Sequence, residues 1–127
     1  MTYQVPLLIG GNMVQSRTHE WLEVNNPATQ EIIARLPCAT AEEVEAAVAA
    51  ASRAFVEWRE VPVPERARLM LRYQALLKEY HDDIARLLCK DTGKTFEDAR
   101  GDLWRGIEVV EQAANIASLS MGETQEN

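Results

Sequence analysis

The run Asp91-Thr92-Gly93-Lys94-Thr95 has the residue types of a phosphate loop: a glycine that lets an anion approach the backbone, a lysine, and a hydroxyl. Such a loop also needs a glycine five positions before Gly93, so that bare N–H groups can wrap the phosphates. That position is Leu88, inside an apolar run, so the phosphate chemistry fails on spacing. Glycine then reads as the left-handed residue that ends a helix, with Lys94 near the negative end of the helix dipole. A few residues on lies Arg100-Gly101-Asp102-Leu103-Trp104-Arg105-Gly106. On a helical wheel Arg105 falls opposite Leu103, on a polar face with Asp98, Asp102, Glu108 and Gln112. From spacing alone it is a surface residue, paired at i±3 with Asp102 or Glu108. Arg100 sits one turn before Trp104 and is expected to stack on it. Cys38 and Cys89 are the only cysteines. They are far apart and lack metal-ligand spacing, so buried, inert thiols are expected rather than a disulfide or a metal site. His19 and His81 have no ligand partners at suitable spacing, and both read as surface residues.

The elements that must carry these side chains follow from pattern. Residues 1–37 read as β structure in two hairpins. Val5 to Ile9 and Met13 to Gln15 flank the turn Gly10-Gly11-Asn12. Trp21 to Val24 and Glu31 to Leu36 flank Asn25-Asn26-Pro27-Ala28-Thr29. Residues 40–119 then read as about four helices. Thr40 and Glu43 form a capping box ahead of the stripe Val44, Ala47, Val48, Ala51, Ala54, Phe55 and Trp58. Pro62 and Pro64 break the chain before a second helix, whose apolar face is Leu69, Met70, Tyr73, Leu76, Leu77 and Tyr80. A third starts at Asp82 or Asp83, carries Ile84, Leu87 and Leu88, and ends at Gly93. The fourth starts at Phe96 or Glu97 and runs to about Leu119, with Ala99, Leu103, Ile107, Val110, Ala114 and Ala117 as its core stripe. Gly101 and Gly106 each cost that helix about 1 kcal/mol against alanine, which suggests close backbone approach to a neighbour. Residues 120–127 form a polar tail. These helices carry more apolar face than they can bury among themselves, as at the front of a larger fold.

The chain has 127 residues, 46% hydrophobic and 26% charged, with a net charge of −7. That suits one domain and a modest core. The acidic balance argues against nucleic-acid and anionic-membrane partners, and no apolar run reaches the roughly 18 residues of a membrane span. The start Met1-Thr2-Tyr3-Gln4-Val5 has neither a basic nor an apolar leader region, so a cytoplasmic location is expected.

Taken in order, Ile9-Gly10-Gly11, Asn26-Pro27-Ala28-Thr29, Ala54-Phe55 with Trp58, Arg66 with Leu71-Arg72-Tyr73, and Thr92-Gly93-Lys94-Thr95 resemble the aldehyde dehydrogenase superfamily. Gly101 to Glu111 and Ser118-Leu119-Ser120-Met121-Gly122-Glu123-Thr124 are similar to its CoA-acylating methylmalonate-semialdehyde dehydrogenase branch. The resemblance covers essentially the whole chain. It implies an α/β fold, the N-terminal segment of an NAD-binding domain, incomplete within 1–127.

It also implies an NAD-dependent oxidoreductase. A cysteine thiolate attacks malonate or methylmalonate semialdehyde, hydride passes to NAD, carbon dioxide is lost, and coenzyme A takes the acyl group. A homotetramer is the implied assembly. Neither Cys38 nor Cys89 matches the nucleophile's motif and nothing matches the cofactor loop, so no catalytic or cofactor-binding residue is expected among the 127, and the chain alone is expected to be inactive. The resemblance assigns one substrate-binding residue, Arg105, whose guanidinium would hold the substrate carboxylate. It also offers Asp102 toward a structural cation. An alternative is a non-catalytic interaction or assembly module derived from such an enzyme.

Overall fold

The computed structural model describes residues 2–123. Thr124 of the second motif and the rest of the expected tail to residue 127 lie outside the described residues. The chain divides into two units, residues 2–60 with Lys90–Lys94, and Val61–Cys89 with residues 95–123.

The first unit holds β1 (Tyr3–Gln4), β2 (Leu7–Ile9), β3 (Asn12–Val14), β4 (Trp21–Asn25) and β5 (Ile32–Pro37). Strands β2 and β3 form the expected first hairpin, with Leu7 opposite Val14 and Ile9 opposite Asn12. Only Gly10 and Gly11 are left to turn. Their φ values of 58° and 81° are what a two-residue primed turn demands, which is why glycine fills both places. A Cβ on Gly10 would lie 3.7 Å from that of Ala50, so the hairpin lies close against the helix that follows.

Strands β4 and β5 pair antiparallel as expected, with a bulge after Val24. Their turn is closed by the Asn26 side chain, which accepts from the Ala28 amide at 2.9 Å. The sheet is larger than two hairpins, however. Tyr3-Gln4 lies parallel to β5 and makes it the central strand of the order β1-β5-β4.

The first helix, α1 (Ala41–Trp58), begins at the capping box. Thr40 Oγ1 accepts from the Glu43 amide, and Glu43 returns the bond to the Thr40 amide. No residue of α1 is buried; Val48 is 59% and Phe55 57% exposed. The stripe read from the sequence exists on the helix, and the described residues leave it uncovered.

In the second unit α2 (Val63–Glu79) starts with Pro62 as N-cap and Pro64 in its first turn, where a missing N–H costs nothing. Next come α3 (His81–Thr92), α4 (Phe96–Ala114) and α5 (Ile116–Leu119); of α3, the residues to Cys89 belong to this unit. The core lies here. Ala85 on α3 and Ala99 and Ile107 on α4 are fully buried, and α4's expected stripe is its inward face.

Three expectations need correction. Helix α3 starts at His81, ahead of the aspartates, because Tyr80 caps α2 and accepts from the Ile84 amide at the same time. The expected long fourth helix breaks at Asn115, whose side-chain amide donates to the Glu111 carbonyl at 3.1 Å. A short polar side chain bonding the backbone in this way competes with helix continuation. On α2 the least exposed side is Ala67, Met70, Gln74 and Leu77, while Leu69, Tyr73, Leu76 and Tyr80 stay exposed. The helix is apolar over more than half its circumference, and only one side finds a partner among the described residues.

Candidate functional site

Helix α4 carries the one substrate-site residue that the sequence nominates. The helix is started by Thr95, whose Oγ1 accepts from the Asp98 amide at 3.3 Å and donates to Asp98 Oδ2 at 2.7 Å. Two turns further, Arg105 stands on the outer, polar face. Its side chain is 80% exposed, and Nη1 lies 3.4 Å from Asp102 Oδ1. Of the two expected partners, the structure selects Asp102 over Glu108. Such an exposed i,i+3 pair contributes about 0.3 kcal/mol, so the guanidinium is readily available to a stronger carboxylate. Gly101 and Gly106, which flank this turn, have nothing within 4 Å of a Cβ placed on them among the described residues. The expected close backbone approach is not present there, because that side of α4 is uncovered.

The turn before Arg105 is held by a cluster that the sequence did not reveal. His81 opens α3, and its side chain is only 16% exposed, not on the surface as expected. Its Nε2 lies 3.1 Å from the Arg100 carbonyl oxygen and Nδ1 3.4 Å from Asp82 Oδ1. The imidazole meets the Trp104 ring edge-on, with centroids 6.4 Å apart at 76°. On the same indole sits the Lys78 ammonium, 5.6 Å from the ring centroid, itself tied to Glu111 at 3.1 Å. Gln74 also donates to Glu111.

Arg100 does not stack on Trp104. Its guanidinium lies 5.9 Å from the Phe96 ring and 3.1 Å from Asp82 Oδ1. Lys78 over the indole and Asp82 at the start of α3 explain the choice: one supplies the cation for the tryptophan, the other draws the arginine back along the helix. Lys78, Glu79, His81, Asp82, Arg100 and Trp104 line an open cleft of about 400 Å³.

In the first unit Glu43 gathers several hydrogen bonds. Beyond its capping role it accepts from the Arg17 amide at 2.7 Å and the Ser16 hydroxyl at 2.8 Å. The Arg17 N–H first, then the Thr40 N–H and the Ser16 hydroxyl, hold its carboxyl below the usual glutamate range.

The segment that resembled a phosphate loop has a packing role. Gly93 has φ +70°, and a Cβ on it would lie 3.0 Å from Pro27 Cγ and 3.1 Å from the Ala28 amide nitrogen. The turn after α3 is thus pressed against the Asn26-Pro27-Ala28 turn, and the space a phosphate would take is filled by protein. Cys38 and Cys89 are both partly exposed, less buried than expected. Among the described residues no group of three His, Cys, Asp or Glu side chains could hold a metal ion.

NAD and coenzyme A each present a pyrophosphate, which calls for glycine-backed amides at a helix N-terminus. Gly10 and Gly11 turn between two strands, Gly93 is packed against Pro27, and Lys78 and Arg100 are already held by Glu111 and Asp82. The described residues do not fit either group.

Comparison with known proteins places the chain as follows. The aldehyde dehydrogenase family pattern matches residues 13–127. The human methylmalonate-semialdehyde/malonate-semialdehyde dehydrogenase, acylating and mitochondrial by name, is 48% identical over 120 residues, 94% of this chain and 22% of its own length. Among solved structures, a methylmalonate-semialdehyde dehydrogenase from Oceanimonas doudoroffii superposes with a TM-score of 0.90 at 42% identity, covering 100% of this chain and 26% of that one. An NAD complex from Sinorhizobium meliloti 1021, described as a methylmalonate-semialdehyde dehydrogenase, superposes with a TM-score of 0.91 at 32% identity over 99% of this chain and 26% of that one. The chain therefore spans about a quarter of the length of the curated relatives it matches. Its expected α/β class is that of the matching quarter of these structures.

Proposed function

The chain belongs to the aldehyde dehydrogenase family, and from that premise we propose that it works as part of an NAD-dependent, CoA-acylating dehydrogenase. The substrates would be malonate and methylmalonate semialdehyde, and the products acetyl- and propionyl-CoA with release of carbon dioxide. The names of the relatives support the substrate class, and the NAD-bound neighbour supports the oxidant. NAD and coenzyme A would be held by polypeptide other than these residues, and so would the cysteine nucleophile. The 127 residues by themselves would then leave semialdehyde unoxidised.

The observation that carries the reading within this chain is Arg105. It is a nearly free guanidinium on the outer face of α4, weakly tied to one carboxylate. A semialdehyde acid differs from a simple aldehyde by its carboxylate, and a planar guanidinium matches that group bidentately. In the complete dehydrogenase, Arg105→Ala is expected to raise KM for malonate semialdehyde at least about tenfold, the worth of one charge-assisted hydrogen-bonded pair of about 1.5–3 kcal/mol. KM for propanal should stay within about twofold. Equal changes for both aldehydes, or NADH formation by the purified 127-residue chain, would contradict the proposal.

A second reading, a non-catalytic assembly module, is favoured by the uncovered apolar stripe of α1. Loss of aldehyde selectivity on changing Arg105 would count against it, because a module that only assembles has no use for a substrate carboxylate.

A further inference from the structure

Resting on the reading of Arg105 just given, we propose that His81 is a positioning residue for it. The imidazole fixes the α4 segment Arg100–Arg105 from outside the helix, and so sets the direction in which the guanidinium is presented.

The argument begins with hydrogen-bond valence. The Arg100 carbonyl oxygen accepts, so the ring nitrogen 3.1 Å away, Nε2, must carry a proton and donate. In a continuous helix that same oxygen also accepts from the amide of Trp104 four residues on. A carbonyl has two lone pairs and can serve both donors. His81 therefore takes hold of α4 at the peptide whose helical partner is Trp104.

The second contact is with the indole. Trp104 is met by the imidazole on one side and by the Lys78 ammonium, which Glu111 anchors. The indole is 49% exposed, and these groups from α2 and α3 restrain it and resist a roll of the backbone that carries it about the helix axis. Arg105 is the next residue, about 100° further round the helix. Whatever fixes the azimuth of Trp104 fixes that of Arg105.

The charges around the ring are those of a structural clasp. Asp82 faces Nδ1 and also holds Arg100, while Glu97 approaches Arg100 from its own helix at 3.8 Å. Lys78 and Glu79 complete the cleft. Lys78, Arg100 and His81 each have a carboxylate within the cluster, so the site is organised around the turn and leaves no basic group over for an anionic ligand.

The test uses the complete dehydrogenase with three variants, read with malonate semialdehyde and with propanal. His81→Phe keeps a ring against Trp104 and removes the donor to Arg100. His81→Gln keeps an N–H donor. Arg105→Ala is the reference. The expected result for His81→Phe is a rise in KM for malonate semialdehyde of about fivefold, the loss of one net hydrogen bond, with kcat and the KM for propanal within about twofold. His81→Gln should restore most of the loss. In parallel, amide hydrogen exchange at residues 101–105 should speed up in His81→Phe and not in Arg105→Ala.

Unchanged exchange at those amides in His81→Phe overturns the clasp. A wild-type KM for His81→Phe where Arg105→Ala is selectively impaired overturns the positioning role and leaves the Arg105 reading standing. Equal damage to both aldehydes, or no rescue by glutamine, reduces His81 to general packing and also overturns the proposal. If Arg105→Ala shows no selectivity while exchange still responds to His81→Phe, the Arg105 reading is what has failed, and the positioning role falls with it.

Discussion

Gly93→Ala is the substitution whose outcome the geometry constrains most tightly. Two separate penalties apply. Alanine at φ +70° occupies the left-handed region, which costs an ordinary L-residue roughly 1–2 kcal/mol. Its Cβ would also stand 3.0 Å from Pro27 Cγ and 3.1 Å from the Ala28 nitrogen. The proline ring can shift a little, but the backbone nitrogen belongs to a turn held by the Asn26 side chain and has little room. Overpacking of that kind costs about 1–3 kcal/mol. Together the loss should be about 2–5 kcal/mol.

Urea unfolding of the protein, followed by tryptophan fluorescence, measures it. With a slope of about 2 kcal/mol/M, the midpoint should fall by about 1–2.5 M with the slope unchanged. Gly93→Asn separates the two penalties, because asparagine tolerates the left-handed region yet still brings a Cβ. It should recover about 1 kcal/mol relative to alanine. If Gly93→Ala stays within about 0.5 kcal/mol of wild type, the range of an unremarkable surface change, both the close approach and the strain are wrong. If Asn is no better than Ala, the strain is wrong by itself.

Glu43 gives a pH prediction. Its folded-state carboxyl titrates below the ordinary glutamate range because the Arg17 and Thr40 amides and the Ser16 hydroxyl bond the charged form. A lowered value means the stabilisation is present above the unfolded-state value and is lost as pH falls through the folded-state one. Thermal melts of the wild type should therefore drop more steeply below about pH 4.3 than those of Glu43→Gln, and parallel curves would remove Glu43 as the source. Ile107, fully buried on α4, should lose about 2–5 kcal/mol on change to alanine, against under 1 kcal/mol for exposed Val48→Ala on α1. Comparable losses at the two sites, by chemical denaturation, would show that the core is not where the structure puts it.

Local chemistry was legible in the sequence, and contacts between distant segments were not. The Thr40–Glu43 box, the Gly10-Gly11 turn and the helix stop at Gly93 each depend on backbone groups within a few residues, so residue type and spacing suffice to show them. The inward stripe of α4 followed from its period. By contrast, Tyr3-Gln4 is two residues long, too short for an alternation pattern, and pairs with a strand some thirty positions away. The low exposure of His81 depends on where α4 brings the Arg100 carbonyl, and no feature next to residue 81 announces that. The only hint was the pair His81-Asp82, which could have been read as a ring with an acceptor at hand. The Arg100 expectation failed for a related reason. Helical spacing offered Trp104, but spacing cannot tell that Lys78 already occupies that ring. For Arg105 the spacing correctly placed it on the polar face beside Asp102, while the role toward substrate proposed for it comes from resemblance and is tested by the aldehyde pair above.

The Gly93 turn also has a consequence for synthesis. The turn at Lys90–Lys94 belongs to the same unit as residues 2–60, yet Val61–Cys89 intervenes in the chain. As the polypeptide leaves the ribosome N-terminus first, the Asn26-Pro27-Ala28 turn emerges long before the glycine that will close on it. It must wait for α2 and most of α3 to be made. The unit thus cannot be completed vectorially, and a chain cut at Glu60 would lack the piece that seals the turn between β4 and β5. Closing so long an intervening loop costs little more than closing a short one, since the entropy grows only with the logarithm of length. The delay is kinetic, and it leaves the early strands open to wrong partners until residue 94 is in place.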